Sequence, residues 1–178
     1  MSVSRRQFLQ FSSAAALTSL SPLALSSQQT PARTLALRNL HTGEATHATY
    51  WADGQYQMDE LAQLNRLLRD HRNDQVAEMD PLLLDNIHRL QAHMNYSGEV
   101  HIISGYRSPE SNEKLRKMGH RVAKKSFHLQ GRAIDLRLPK QALPEVHRAA
   151  LNMRAGGVGY YPHSNFIHLD TGRVRRWG

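Results

Sequence analysis

Two short segments of the chain contain the residue types that hold a catalytic metal ion. SFHLQGRAIDLRL contains His128 and Asp135, and NFIHLD contains His168. Two histidines and one carboxylate form a zinc ligand set that leaves a fourth position for water. Zinc lowers the pKa of that water to about 7 in favourable sites, which makes hydroxide available for attack on a carbonyl. These residues therefore indicate hydrolysis of an amide bond.

The spacing between the first histidine and its carboxylate requires a turn. The alternation over residues 133–138 predicts a strand with Asp135 on its polar face. His128 lies seven residues earlier, and this odd separation along an uninterrupted strand would place it on the opposite face. Gly131 adopts backbone conformations that are closed to other residues. We therefore expect a kink at Gly131 that returns His128 toward Asp135.

The second segment places a carboxylate beside its histidine. In a strand over NFIHLD, His168 and Asp170 share one face, whereas Ile167 and Leu169 share the other. The spacing alone does not establish a metal site, because a chain with 11 histidines brings some of them near an aspartate by chance. Eight of the histidines are expected to be solvated: His41, His47, His71, His88, His93, His101, His120 and His147.

Composition restricts the ligand types and the partners. The chain has 178 residues and no cysteine, so it has no thiolate metal site and no disulfide, and any metal must be held by nitrogen and oxygen. Its formal net charge is +8, but the basic residues are scattered and match no nucleic-acid-binding motif. We expect no nucleic-acid partner, and an anionic cell-wall polymer fits the charge equally well.

The amino terminus predicts export. Residues 1–30 contain SRRQFLQFSSAAALTSLSPLALSS, in which Arg5 and Arg6 precede an apolar stretch, as in a twin-arginine signal. The apolar stretch is shorter than the roughly 20 residues that span a bilayer, so we expect no stable membrane insertion after cleavage. Residues 31–178 are long enough for a single domain, which we expect to be a monomer in the periplasm.

Hydrophobic spacing and helix-end residues predict the elements around the two segments. TLALRNL and ATHATYW, on either side of HTGE, predict an amino-terminal β-hairpin, and EVHIIS predicts a strand. Four segments predict helices: MDELAQLNRLLRDHR, DPLLLDNIHRLQAHM with Asp80 as its cap, SPESNEKLRKMG with Ser108 as its cap, and LPEVHRAALNM.

The motifs resemble a known family. SFHLQGRAID matches the Ser-x-His-x-x-Gly-x-Ala-x-Asp pattern of the zinc D-alanyl-D-alanine peptidases, in the lysostaphin and hedgehog superfamily. ISGYRSPESN and MRAGGVGYYPHSNFIHLDTG are similar to the murein endopeptidase branch. The resemblance implies an α+β fold, with flanking helices around a small antiparallel sheet that carries the zinc site. It implies the zinc ligands His128, Asp135 and His168, with Arg107 as a substrate or oxyanion contact.

Two points stay open beside the resemblance. An arginine before a capped helix most often forms a weak surface ion pair, which is the alternative role for Arg107. Dipeptidases of this superfamily carry a glutamate where this chain has Asn165, and an amide cannot act as a general base. His163 and Asp170 are the remaining candidates for proton transfer, and Asp170 could instead orient His168.

The leading hypothesis is a periplasmic zinc endopeptidase that hydrolyses the peptide cross-links of peptidoglycan, with the peptide stems as its binding partner. One alternative is a D-alanyl-D-alanine carboxypeptidase that trims uncross-linked stems. Another is a non-catalytic wall-binding module in which zinc stabilises the fold. The sequence does not distinguish which bond is cut, because that choice depends on the shape of the groove.

Overall fold

The structure, a computed structural model, describes residues 31–120 and 122–178. These residues form an α+β fold, which confirms the expected class. The strands are β1 (Arg33–Asn39), β2 (Ala45–Ala52), β3 (Gln55–Tyr56), β4 (Val100–Ser104), β5 (Ala133–Arg137), β6 (Gly157–Tyr161), β7 (Phe166–Asp170) and β8 (Arg175–Trp177). The helices are α1 (Met58–Leu67), α2 (Pro81–His93), α3 (Pro109–Lys117) and α4 (Leu143–Met153).

All of these strands belong to one sheet, in the order β3-β2-β1-β4-β5-β7-β6-β8. The expectation of a small antiparallel sheet was therefore wrong: the sheet has eight strands, and two of its pairs, β1–β4 and β6–β8, are parallel. The first parallel pair arises because α1 and α2 carry the chain across before β4 pairs with β1. The second arises because β7 reverses the chain between β6 and β8.

The predicted helix starts are confirmed by their caps. The Asp80 carboxylate accepts a hydrogen bond from the backbone amide of Leu82 at 3.0 Å, at the start of α2. The Ser108 hydroxyl accepts one from the amide of Ser111 at 3.1 Å, at the start of α3. Each bond satisfies an amide that has no partner within the helix, which fixes where the helix begins.

Helix α1 ends earlier than its sequence predicts. MDELAQLNRLLRDHR predicts a helix to residue 72, whereas α1 ends at Leu67. Asp70 is fully buried, and its carboxylate accepts hydrogen bonds from the backbone amides of Arg72 at 3.1 Å and Ser108 at 2.9 Å. These side-chain bonds replace helical ones and tie this turn to the start of α3.

At the centre of the sheet, strands β5 and β7 have one hydrophobic face and one polar face. Ile134 and Leu136 of β5, with Ile167 and Leu169 of β7, are buried in the main core cluster. Helix α4 packs against β6 and β7 and also contacts α2. Because side chains alternate along a strand, the intervening residues of β5 and β7 lie on the opposite face, where the metal-binding residue types are found.

The predicted export signal, residues 1–30, lies outside the described residues and stays a prediction. Within residues 31–120 and 122–178, no helix has the length and apolar character needed to cross a membrane.

Candidate metal centre

His128 lies in a one-turn 3₁₀ helix, Phe127–Gln130, rather than in a strand. The turn ends at Gly131 with φ of +65°, and a Cβ there would collide with the carbonyl oxygen of Glu78. The predicted kink at Gly131 is confirmed, because only glycine fits both this conformation and this close approach. The ring Nδ1 of His128 donates to the carbonyl of Gly105 at 2.7 Å, which leaves Nε2 free to face β5 and β7.

Asp135 and His168 lie directly opposite each other in the β5–β7 pair. One carboxylate oxygen of Asp135 is 2.8 Å from Nδ1 of His168 and 3.4 Å from Nε2 of His128. The two histidine nitrogens are themselves 3.3 Å apart. The three donor atoms therefore converge, all within 4.8 Å of one another.

Asp170 contacts the other nitrogen of His168. His168 Nε2 donates to Asp170 Oδ2 at 3.0 Å, so its Nδ1 is the nitrogen directed at Asp135. Asp170 is only 2% exposed, and its Oδ1 accepts the backbone amides of Gly157 and Gly172 at 3.1 and 2.9 Å. Its carboxylate does not line the adjoining cavity, and it faces His168, backbone amides and Arg175.

Hydrogen bonding keeps both carboxylates ionised. Burial alone would raise the pKa of Asp135, but the charge of His128 and hydrogen bonds from both histidines outweigh it and lower that pKa. Burial would likewise raise the pKa of Asp170, and bonds from His168 and Arg175 lower it. Burial would lower the pKa of His168, but its bonds to the two aspartates raise it. The centre thus presents anionic oxygens that attract a cation.

The donor set fits a divalent metal ion. Donors around a tetrahedral ion with bonds of about 2.0–2.1 Å lie about 3.3–3.4 Å apart, and two of the three separations here are 3.3 and 3.4 Å. Two imidazole nitrogens and one carboxylate oxygen are also the ligand types expected in a chain without cysteine. His128, Asp135 and His168 are the residues that could hold the ion.

A cavity of about 690 Å³ opens over this centre. His128, Asp135 and His168 lie in its wall. The other lining side chains are basic, aromatic or small, and include Lys125, Phe127, Tyr161, Phe166, Arg175 and Trp177. Among the described lining residues Asp135 is the sole carboxylate, so the cavity favours an anionic ligand.

Arg107 lies in the same wall and is 7% exposed. Its Nη2 donates to the Ser126 hydroxyl at 3.1 Å, while its Nε is buried without a hydrogen-bond partner among the described residues. Burial lowers its pKa, against the opposing charge of Asp135. The alternative of a surface ion pair was wrong, because Arg107 is buried and no described carboxylate pairs with it.

His163 and His120 differ from expectation in their relation to the cavity, although both are exposed. His163 is exposed in the 3₁₀ turn Pro162–Ser164 and is not among the residues that line the cavity. His120, which the sequence assigned to solvent, lines the cavity although it too is exposed. No local pattern could have identified His120, because the cavity wall is built from residues that lie as far along the chain as Trp177.

The remaining histidines lie outside the cavity. His41, His47 and His93 are exposed as expected, but four are partly buried: His71, His88, His101 and His147. Burial lowers the pKa of His88 and of His147. Burial, with the charge of Arg72, lowers the pKa of His71 to about 4.

Comparison with known proteins identifies the family of the chain. The family described as peptidoglycan L,D-endopeptidase MepK matches residues 27–177. The chain is 48% identical over 145 residues to peptidoglycan L,D-endopeptidase MepK of Escherichia coli K12, covering 82% of this chain and 80% of that protein. It is 41% identical over 158 residues to a probable peptidoglycan L,D-endopeptidase MepK of Haemophilus influenzae, covering 88% and 84%. No solved structure matches significantly. The chain therefore belongs to the peptidoglycan L,D-endopeptidase MepK family.

Proposed function

We propose that this protein is a zinc-dependent endopeptidase that cleaves L,D peptide cross-links of peptidoglycan in the periplasm. The convergence of His128, Asp135 and His168 at the wall of a basic cavity carries the proposal. The names of the relatives supply the substrate class and the L,D bond. Of the two cross-links found in peptidoglycan, the one between two diaminopimelate residues joins an L to a D centre, so we favour it over the D-alanine–diaminopimelate bond.

The chain's own residues have distinct parts in the reaction. When bound, zinc supplies a water of lowered pKa and polarises the peptide carbonyl. Asp170 holds the Nε2 proton of His168, and the Gly105 carbonyl holds the Nδ1 proton of His128, so each ring presents its other nitrogen to the metal. This contact supports ligand orientation by Asp170 in preference to proton transfer.

Arg107 is the group best placed to bind negative charge. Its guanidinium lines the cavity and its Nε has no described partner, so it can donate to the oxyanion that forms during hydrolysis or to a substrate carboxylate. His120 and Lys125 line the same cavity. They suit the free carboxylates that peptidoglycan stems carry beside the cross-link. For His163, which lies outside the cavity wall, we propose a peripheral substrate contact at most.

Digestion of isolated sacculi tests the proposal. The mature protein, loaded with zinc, is incubated with sacculi, and the released muropeptides are identified by mass spectrometry. Accumulation of monomers from diaminopimelate-linked dimers is the expected result. Release of free D-alanine from pentapeptide stems with intact dimers would show a carboxypeptidase, and unchanged muropeptides with full zinc occupancy would show a binding module.

Export is tested separately in cells. Arg5→Lys combined with Arg6→Lys is expected to retain the precursor in the cytoplasm, because the paired arginines are what a twin-arginine receptor reads. Cell fractionation measures the distribution. A normal periplasmic yield of the double variant would indicate a different export route.

A further inference from the structure

The strand β8 contributes a side chain that binds the carboxylate behind the metal centre. Arg175 Nη1 donates to Asp170 Oδ1 at 2.8 Å, and Nη2 donates to Oδ2 at 2.6 Å. The Asp170 side chain is fully buried, whereas that of Arg175 is 29% exposed. Two parallel bonds of this kind fix the plane of a carboxylate as well as its position.

The neighbouring strand is shaped to accept this arginine. β6 pairs in parallel with β8, with Gly157 opposite Arg175 and Gly159 opposite Trp177. A Cβ at Gly157 would collide with both Arg175 Nη1 and Asp170 Oδ2, and a Cβ at Gly159 would collide with the Trp177 indole. The two glycines therefore leave the space in which the β8 side chains reach the centre.

Aromatic rings hold the guanidinium in place. Its carbon lies 4.8 Å from the ring centroid of Trp177 and 5.3 Å from that of Phe127. The Trp177 ring in turn lies 5.1 Å from the ring of His168, and its Nε1 donates to the Tyr161 hydroxyl at 2.9 Å. Arg175 is thus confined between rings that also border the cavity.

The bonds form a chain that ends at the metal centre. Arg175 holds Asp170, Asp170 accepts the Nε2 proton of His168, and His168 directs Nδ1 at Asp135. Without Arg175, Oδ1 of Asp170 keeps two backbone amides, but Oδ2 keeps His168 as its sole described donor, so the carboxylate is held less tightly in the plane that faces His168. We propose that Arg175 is a positioning residue for the metal centre, acting through Asp170 on His168. This inference rests on the proposed function, since it assumes that His168 binds the metal.

Zinc affinity, measured by chelator competition on the full chain, tests the role. Arg175→Gln is expected to weaken zinc binding by up to about 10-fold, less than the roughly 10–100-fold expected for loss of Asp170 itself, because Arg175 acts through that carboxylate. Arg175→Lys is expected to give a smaller loss. Arg176→Gln is the matched control, because Arg176 is the next residue of β8, is exposed and does not line the cavity. Wild-type affinity of a folded Arg175→Gln variant would overturn the inference.

A double-mutant cycle separates positioning from direct substrate contact, since Arg175 also lines the cavity. In the Asp170→Ala background, Arg175→Gln is expected to change zinc affinity by less than about 2-fold, because the residue it acts through is already absent. A loss in that background equal to the loss in the wild-type background would show that Arg175 does not act through Asp170.

A measurement without metal distinguishes this inference from the proposed function. Nitrogen NMR of the imidazoles in metal-free protein, at a pH high enough for the His168 ring to be neutral, is expected to show His168 as the Nε2–H tautomer in the wild type and as a mixture in Arg175→Gln. An unchanged tautomer in the variant would overturn the positioning role. Failure of the wild type to bind zinc would overturn the proposed function, while the tautomer result would still decide the role of Arg175.

Discussion

Asp135 and His168 occupy opposite positions of the β5–β7 ladder, and a 2.8 Å contact joins the carboxylate to the ring. Strand pairing therefore sets the distance between two of the three candidate ligands, and the turn at Gly131 brings in the third. A site held by sheet hydrogen bonds is pre-organised, so loss of one ligand should remove metal without altering the other two positions.

Removal of a ligand is expected to abolish zinc retention. His128→Ala and Asp135→Ala each leave two protein ligands, which hold zinc poorly. Elemental analysis of the purified variants measures the content. His47→Ala, an exposed hairpin residue, is the control and is expected to retain zinc. Full occupancy in either ligand variant would falsify the assignment.

Substitution of Asp170 is expected to weaken zinc binding without changing the chemistry. Asp170→Ala removes the acceptor of the His168 Nε2 proton, and loss of such a partner costs about 10–100-fold in metal affinity. Chelator competition measures the affinity, and excess zinc should recover part of the activity. Wild-type affinity combined with lost turnover would instead support a role of Asp170 in proton transfer.

The exposed histidines His120 and His163 are expected to differ in their effect on turnover. A residue that transfers a proton contributes roughly 10²–10⁴-fold to the rate, and imidazole is suited to that task near neutral pH. Because His120 lines the cavity and His163 does not, His120→Ala should lower the turnover of zinc-loaded enzyme more than His163→Ala does. A larger loss of turnover in His163→Ala than in His120→Ala would show that His163 takes part in the reaction.

Arg107 is expected to act on turnover and not on metal content. Arg107→Met removes a buried guanidinium from the cavity wall, and loss of one oxyanion donor typically costs about 10²–10³-fold in kcat. Steady-state hydrolysis of purified dimeric muropeptides measures the effect, alongside zinc analysis. Arg116→Met, on the exposed face of α3, is the control. Unchanged kcat in the Arg107 variant would restrict this residue to a structural role.

The stability of the protein is expected to fall in mild acid partly through His71. Burial, with the charges of Arg72 and His41, lowers the pKa of His71 to about 4, whereas an unfolded histidine titrates near 6.5. Between these two pH values the unfolded state therefore binds a proton more readily than the folded state does. The contribution of His71 to the free energy of unfolding is complete above about pH 6.5 and is lost as the pH falls toward about 4. NMR titration of the His71 ring checks the pKa. His71→Gln should flatten the dependence of stability on pH, as measured by urea unfolding, and an ordinary titration of His71 would contradict this account.

The sequence predicted helix ends and a turn correctly where these are determined by residues close together in the chain. Asp80 and Ser108 mark helix starts because each caps an amide within the next three residues, and α4 begins and ends where its spacing predicts. The kink at Gly131 followed from side-chain parity along one segment. The convergence of His128, Asp135 and His168 was also expected, but from family resemblance and not from spacing.

Long-range pairings account for the features that the sequence analysis missed. The parallel β1–β4 pair depends on how two helices cross the sheet, which no local alternation specifies. The early end of α1 depends on Asp70 accepting the amide of Ser108, 38 positions along the chain. Arg175 and Trp177 reach the centre because β8 pairs with β6 beside two glycines. The sequence did not indicate this, because an arginine close to a tryptophan is a common local pattern.

The candidate ligands also link metal supply to folding. His168 lies 33 positions from Asp135 and 40 from His128, so an unfolded chain does not hold the three donors together. An ion that binds only the folded form stabilises it by mass action, by about 2.7 kcal/mol when its free concentration is 100 times the dissociation constant. The supply of the ion that these residues hold would then add to the stability of the folded chain and lengthen its lifetime against proteolysis.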